Sequence, residues 1–346
     1  MNPFERSAGV GPLLYLCAQD VDELCREIDP LDVVTRAFLA VHAGRAATAA
    51  EAALRWRAPD GTAARSLMLP AEHEGSYGCK IINACLGNVD RGLPRASGMI
   101  VLFDPATAAP VCVLAAARIS ALRTAAVSLA AVRAIRDLTS VRQVAFLGCG
   151  YQARTHLELL AARTRLAGLT AYDTDHDRAA AFCREAEQLL PGSAIVQADG
   201  PAAAMRPADV TIAATTTTAP YVRPEWMGEG AVFVNVSLDD ATEELLVGCE
   251  RLFVDDWALV REDQTRLLGR LARAGRVTGP GEAPRPAGRS VDADLAALLS
   301  GDYRGPVRPS DRVVINPFGM GVHDIALAAE VYAAARRNGT GLSLPR

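Results

Sequence analysis

Two groups of residues in this sequence carry chemistry. The first is a single side chain: lysine and arginine together number 36, yet Lys80 is the only lysine. The sequence is rich in alanine, arginine, glycine and proline, as a GC-rich coding bias produces, and arginine stands wherever a generic cation serves. Lysine differs from arginine because its pKa falls on burial, so its amine can take up or deliver a proton. Lys80 is therefore either a chance survivor or a position whose work a guanidinium cannot do. The second group is Gly148-Cys149-Gly150-Tyr151-Gln152-Ala153, a GxGxxA pattern between an apolar run and a helical segment. Gly148 permits a tight turn, Gly150 lets the backbone approach a pyrophosphate, and Ala153 lets helix and strand pack closely. The helix mouth at Tyr151 and Gln152 supplies N–H donors. Asp173 stands 25 positions after Gly148, where this motif holds a carboxylate for a ribose 2′-hydroxyl. Such a carboxylate repels the 2′-phosphate of NADP, so NAD is the expected cofactor; Arg178 nearby keeps a phosphate-accepting alternative open.

These residues need elements to hold them. The second half alternates strand and helix: strands over 141–147, 169–172, 194–196, 209–213, 231–236 and 251–254, with helices over 152–163 and 177–190. Strands of this length separated by helices indicate parallel βαβ units. The expected fold is α/β, a Rossmann doubly wound parallel sheet beside a mixed α+β domain. That mixed domain comes from the first half, with strands over 13–16, 52–57, 66–69, 78–82 and 99–103, and a helix over 21–41 broken at Pro30. A long Ala-rich helix over 120–136 leads into the nucleotide strand. A Pro/Gly-rich loop covers 279–289, and a strand over 312–316 and a helix over 324–338 close the chain.

A net charge of -4 and a pI near 5.8 leave no basic footprint for nucleic acid. Residues 1–6 lack the charged-then-apolar order of a signal peptide, and no apolar stretch is long enough for a membrane span. The 8 cysteines are scattered without a CxxC pair, a reduced pattern that implies a cytoplasmic protein. His73 and His156 have no metal-ligand spacing, and no metal is expected.

Gly78-Cys79-Lys80, Asn88, Arg95-Ala96-Ser97-Gly98, Asp104 with Thr107, Arg123-Thr124-Ala125-Ala126 and the glycine loop together resemble the ornithine cyclodeaminase/mu-crystallin family. The resemblance covers nearly the whole chain. It implies a substrate-binding and dimerisation domain from residues 1–135 with 313–346, an NAD-binding Rossmann domain over 136–312, and a homodimer. Stretches 95–105, 119–128, 254–257 and 316–325 are most similar to the branch that makes 2,3-diaminopropionate, the N-(2-amino-2-carboxyethyl)-L-glutamate dehydrogenases. Two departures from cyclodeaminases favour that branch. Where those enzymes carry an aspartate after the fifth strand, this chain has Leu238, although a one-residue slip puts Asp239 there. Where they have a small hydroxyl residue, this chain has Arg95, whose planar fork suits an extra carboxylate.

The resemblance implies that NAD oxidises a secondary amine joining glutamate to 2,3-diaminopropionate, and that water then releases 2-oxoglutarate. An ornithine cyclodeaminase, or a related imine or amino acid dehydrogenase, is the alternative. Lys80 is the expected proton-transfer group or carboxylate holder, and Asp324 is either catalytic or the N-cap of the last helix. Arg123 is expected to grip the α-carboxylate, with Arg57 and Arg95 as further carboxylate ligands. Thr124 is an expected donor to a cofactor phosphate. Thr215, Thr216, Asn235 and Ser237, at strand ends, either meet the nicotinamide ribose or cap their loops. His323 reads as a surface imidazole.

Overall fold

A computed structural model describes residues 11–345, so the leader reading of residues 1–6 and the outermost ends of the expected domains lie outside the described residues. The chain divides into two compact units, one running to Arg123 and resuming at Met320, the other Thr124–Gly319. These limits differ from the expected 135/136 and 312/313. Strand Val313–Ile315 is the reason at the C-terminal limit, because it pairs in parallel with Val232–Val234 and Arg251–Phe253 inside the second unit. At the N-terminal limit, the helix continues beyond Arg123 with Ser128 bonded to His156 of the second unit. No helix of the described residues is long and apolar enough to cross a membrane.

The first unit is built on a mixed sheet of β1 (Leu13–Leu16), β2 (Ala46–Thr48), β3 (Ala52–Arg57), β4 (Ala63–His73), β5 (Ser76–Cys85), β6 (Ala96–Phe103), β7 (Pro110–Ala115) and a C-terminal strand Leu342–Leu344. The order is C-terminal strand-β1-β7-β6-β5-β4-β2, with β3 also paired to β4. Among the described residues of this sheet, only β1 and β7 pair in parallel. β4 runs longer than its sequence suggests because it continues through Pro70. A proline lacks the ladder N–H, and Pro70 falls where the neighbouring chain passes from β2 to β3, so that donor is not required: β3 pairs with residues up to Met68 and β2 with Ala71 onward.

Side chains alternate across a strand, and in this sheet the two faces differ. Leu69, Lys80, Ile100 and Leu114 are register partners on one buried face. The helices α1 (Ala18–Cys25), α2 (Pro30–His42) and the C-terminal helix Gly321–Asn338 belong to this unit. The expected break falls as proposed: α2 starts at Pro30, and the Asp29 carboxylate caps it by accepting from the Leu31 amide. The C-terminal helix lies on the Lys80 face, close enough that a Cβ on Gly78 would stand 2.8 Å from Ile325 and 2.6 Å from the Val101 carbonyl.

The second unit holds an all-parallel sheet of β8 (Gln143–Leu147), β9 (Gly168–Tyr172), β10 (Ala194–Gln197), β11 (Val210–Ala213), β12 (Val232–Asn235), β13 (Arg251–Val254), β14 (Ala293–Asp294) and β15 (Val313–Ile315), in the order β10-β9-β8-β11-β12-β15-β13-β14. The crossover helices α4 (Tyr151–Ala161) and α5 (His176–Leu189) follow β8 and β9; α3 (Ala116–Ile135) precedes β8 and begins four residues earlier than its periodicity predicts. Strand order reverses between β8 and β11, and open α/β sheets bind ligands beyond the C-terminal strand ends at such a point. The Rossmann expectation holds.

Candidate functional site

In the first unit, three elements converge on one carboxylate. Lys80 sits on β5 at a buried position, two residues after Gly78 and on the same face. Its Nζ donates to Asp324 Oδ2 at 2.7 Å and lies 3.4 Å from Ser120 Oγ. Ser120 and Arg123 are three apart on α3, which sets them on one helix face, and Arg123 Nε donates to Asp324 Oδ1 at 3.2 Å. Lys80 is 2% and Asp324 0% exposed. Burial first, then the Arg123 guanidinium, depress the Lys80 ammonium from 10.5 to about 8, against the opposing pull of Asp324. The cluster is an acid–base group poised near neutrality beside a guanidinium whose terminal nitrogens can take a carboxylate.

Three expectations change here. Asp324 does not cap the last helix: that helix begins at Gly321 with Met320 as N-cap, so Asp324 lies inside the first turn and reaches the sheet. His323 is not a surface imidazole but fully buried, tilted against Phe38 with ring centroids 4.3 Å apart. Burial, followed by the Arg123, His73 and Lys80 charges, holds it well below its ordinary pKa. Arg57 and Arg95 do not join the cluster. Arg57 shares the Lys80 face through its pairing with Ala63, but Ala63 is six residues from Leu69, the partner of Lys80, or roughly 20 Å along the strand. It is exposed and bonded to the Gly61 carbonyl. Arg95 is exposed and precedes β6.

In the second unit, the glycine loop has the geometry that its sequence implies. Gly148 has φ of +83°, and a Cβ there would stand 2.8 Å from the Ala214 carbonyl oxygen across the reversal point of the sheet. Gly150 is the N-cap of α4 without a side-chain cap, and a Cβ there would meet nothing within 4 Å. Tyr151 is exposed, Gln152 half-buried and Ala153 fully buried against the sheet. Asp173 directly follows β9 and accepts from the Cys149 amide at 2.8 Å. Asn235 Oδ1, at the C-terminal end of β12, is buried without a hydrogen-bond partner among the described residues, while its amide donates to Asn316. These features fit a dinucleotide: an open helix mouth, a carboxylate beside it and an unpaired carbonyl at the strand ends.

The remaining loop residues serve one another. Thr215 Oγ1 donates to Asp240 Oδ1 at 2.6 Å, and Ser237 Oγ donates to Asp240 Oδ2. The Ser237 oxygen accepts from the Thr215 amide at 3.1 Å. Asp240 is fully buried, and burial raises its pKa. Sequence reasoning missed Asp240 because a carboxylate tied to distant hydroxyls has no spacing signature. Both hydroxyl protons are committed within the loop, which leaves the Thr215 and Ser237 oxygens as acceptors. Thr216 is exposed, and Thr124 lies half-buried in α3. Asp239, the alternative proton-transfer aspartate, accepts from the Leu267 amide at 2.7 Å and pairs with Arg270 at 3.5 Å.

The chain is similar to known proteins in sequence and in fold. The N-((2S)-2-amino-2-carboxyethyl)-L-glutamate dehydrogenase of Staphylococcus aureus is 28% identical over 255 residues, 73% of this chain and 73% of that one. The crystal structure of CmnK is 37% identical, covers 96% of this chain and 98% of its own, and superposes with a TM-score of 0.86. An archaeal alanine dehydrogenase dimer with bound NAD shares the fold at 23% identity, a TM-score of 0.81, and coverage of 96% and 98%. The sequence profile of the ornithine cyclodeaminase/mu-crystallin family matches residues 13–339, and the chain belongs to that family.

Proposed function

We propose that the chain is an NAD-dependent oxidoreductase of amino acid substrates that cleaves N-(2-amino-2-carboxyethyl)-L-glutamate to 2-oxoglutarate and L-2,3-diaminopropionate. The observation that carries this reading is the buried Lys80 amine, paired with Asp324 beside Arg123 and depressed to about 8. The Gly148–Ala153 loop and Asp173 would hold NAD, which when bound would supply the hydride acceptor. Arg123 holds the glutamate α-carboxylate through its Nη groups. Neutral Lys80 takes the proton from the secondary ammonium, freeing the nitrogen lone pair that oxidation of the glutamate Cα requires. The substrate iminium then adds water, Lys80 relays the protons, and the carbon–nitrogen bond breaks. Conjugate, NAD and water become 2-oxoglutarate, diaminopropionate, NADH and one proton. Asp324 keeps the amine aimed and balances its charge as it is protonated.

Likeness to the Staphylococcus aureus enzyme supports the choice of substrate. The position of Asp239 supports it against a cyclodeaminase, because that carboxylate is engaged by the helix Leu267–Arg273. A second copy of the chain is the proposed partner. The sheet face opposite Lys80 exposes the large apolar side chains of Leu54, Trp56, Tyr77 and Met99, which suit burial against another copy. The test of function is spectrophotometric: the glutamate conjugate with NAD should accumulate NADH in step with 2-oxoglutarate. Proline release from ornithine without net NADH would replace this reading with the cyclodeaminase one.

A further inference from the structure

Asp173 does not stand alone at the end of β9. Its Oδ2 accepts from the Cys149 amide, while Oδ1 accepts from the Asp175 amide at 2.9 Å and lies 3.3 Å from Arg178 Nη1. The Thr174 hydroxyl is 3.5 Å from the same oxygen. The other arm of the guanidinium, Nη2, lies 3.0 Å from Asp175 Oδ2. Asp175 also caps α5, accepting from the Arg178 amide at 3.1 Å. Arg178 is 41% and Asp175 45% exposed, whereas Asp173 is 8% exposed. One cation is thus held between two carboxylates, on the rim where the proposed NAD site receives the ribose.

We propose that Arg178 is a resident phosphate ligand restrained by Asp173 and Asp175, so that two carboxylates, rather than the lack of a cation, set the preference for NAD over NADP. This rests on the NAD reading above and adds Asp175 and Arg178 to it. A 2′-phosphate arriving at this rim carries close to two negative charges. It meets a guanidinium already neutralised and a second carboxylate left over, and like charges at this range repel. Once either carboxylate is neutralised, the planar fork is released toward a phosphate, which it binds bidentately. Asp175 therefore does two tasks, capping α5 and completing the restraint on Arg178.

Calorimetric titration of the full chain with NAD⁺ and with NADP⁺ tests the assignment. Wild type should bind NAD⁺ more tightly than NADP⁺. In D175S a hydroxyl still caps the helix, so NAD⁺ affinity should hold while NADP⁺ affinity rises severalfold. In D173N, which keeps an oxygen for the Cys149 amide, NAD⁺ should weaken and NADP⁺ strengthen, each by about tenfold. Adding R178A to D173N should abolish the NADP⁺ gain. Thermal unfolding checks that each variant is folded, and D175S carries the test if D173N is not. No gain of NADP⁺ in a folded variant overturns the inference, as does a gain that survives R178A. Wild type that binds neither nucleotide defeats the NAD reading itself, a distinguishable result.

Discussion

Replacing Arg123 by glutamine removes the nearest like charge to the Lys80 amine while leaving Asp324 in place, so the ammonium becomes easier to keep. Arg123 is the second cause of the depressed Lys80 pKa, after burial. R123Q should therefore raise that pKa, by about one unit, and D324N should lower it by about one to three units, because the counter-charge 2.7 Å from Nζ is lost. The consequence is large. At about pH 7.5, a pKa of about 8 leaves about a quarter of the amine neutral, against about one part in a thousand for an ordinary lysine. Only the neutral amine takes a proton, so kcat should rise with pH and level off above about 8 in the wild type. In R123Q the same limb should move to higher pH. The assay is direct because Lys80 is the sole lysine: protein made with isotope-labelled lysine gives one side-chain resonance, whose pH titration reads this residue alone. A Lys80 titration at or above 10.5, or a downward shift in R123Q, would refute the reasoning. Truncating one member of a buried charge cluster also costs about 3–5 kcal/mol, so each variant needs its unfolding curve measured beside the titration.

Other consequences follow from single contacts. G150A should leave the melting temperature unchanged, since its Cβ meets nothing within 4 Å, yet weaken NAD binding in a fluorescence titration; G148A should lower stability by about 2 kcal/mol before any ligand is added, through its φ of +83° and the Ala214 carbonyl. G78A should separate β5 from the C-terminal helix, because its Cβ would stand 2.8 Å from Ile325; loss of activity with NAD affinity retained is the expected pattern, and unchanged activity would show that the Lys80–Asp324 distance is uncritical. M99D places a charge on the exposed sheet face opposite Lys80, and light scattering should show dissociation to monomers; a wild-type protein already monomeric would remove that face from the proposed dimer.

Much of the second unit is readable along the chain because its determinants are local. A strand, a turn that only Gly148 tolerates, a helix packed through Ala153 and an acid at the next strand end all lie within residues 143–173. The first unit is less legible. Pro70 reads as a strand end, yet its neighbours leave no hydrogen bond for it to break. The strand Pro110–Ala115 is missed where a proline opens it and its apolar run merges into α3. His323 looks polar enough for the surface, and only the packing of α2 against the C-terminal helix encloses it.

Composition by itself singled out Lys80, and motif spacing by itself singled out Gly148, Gly150 and Asp173, since rarity and short-range geometry are both properties of the chain. Tertiary structure decided what surrounds them. Lys80 and Asp324 are 244 positions apart, and their 2.7 Å contact exists only because the C-terminal helix returns to the face of β5. The same folding leaves Arg57 and Arg95 away from that contact and joins Thr215 and Ser237 through Asp240. Burial and neighbouring charge set a side chain's pKa, and neither is a property of sequence distance, so the chemistry of the lysine waited on the fold.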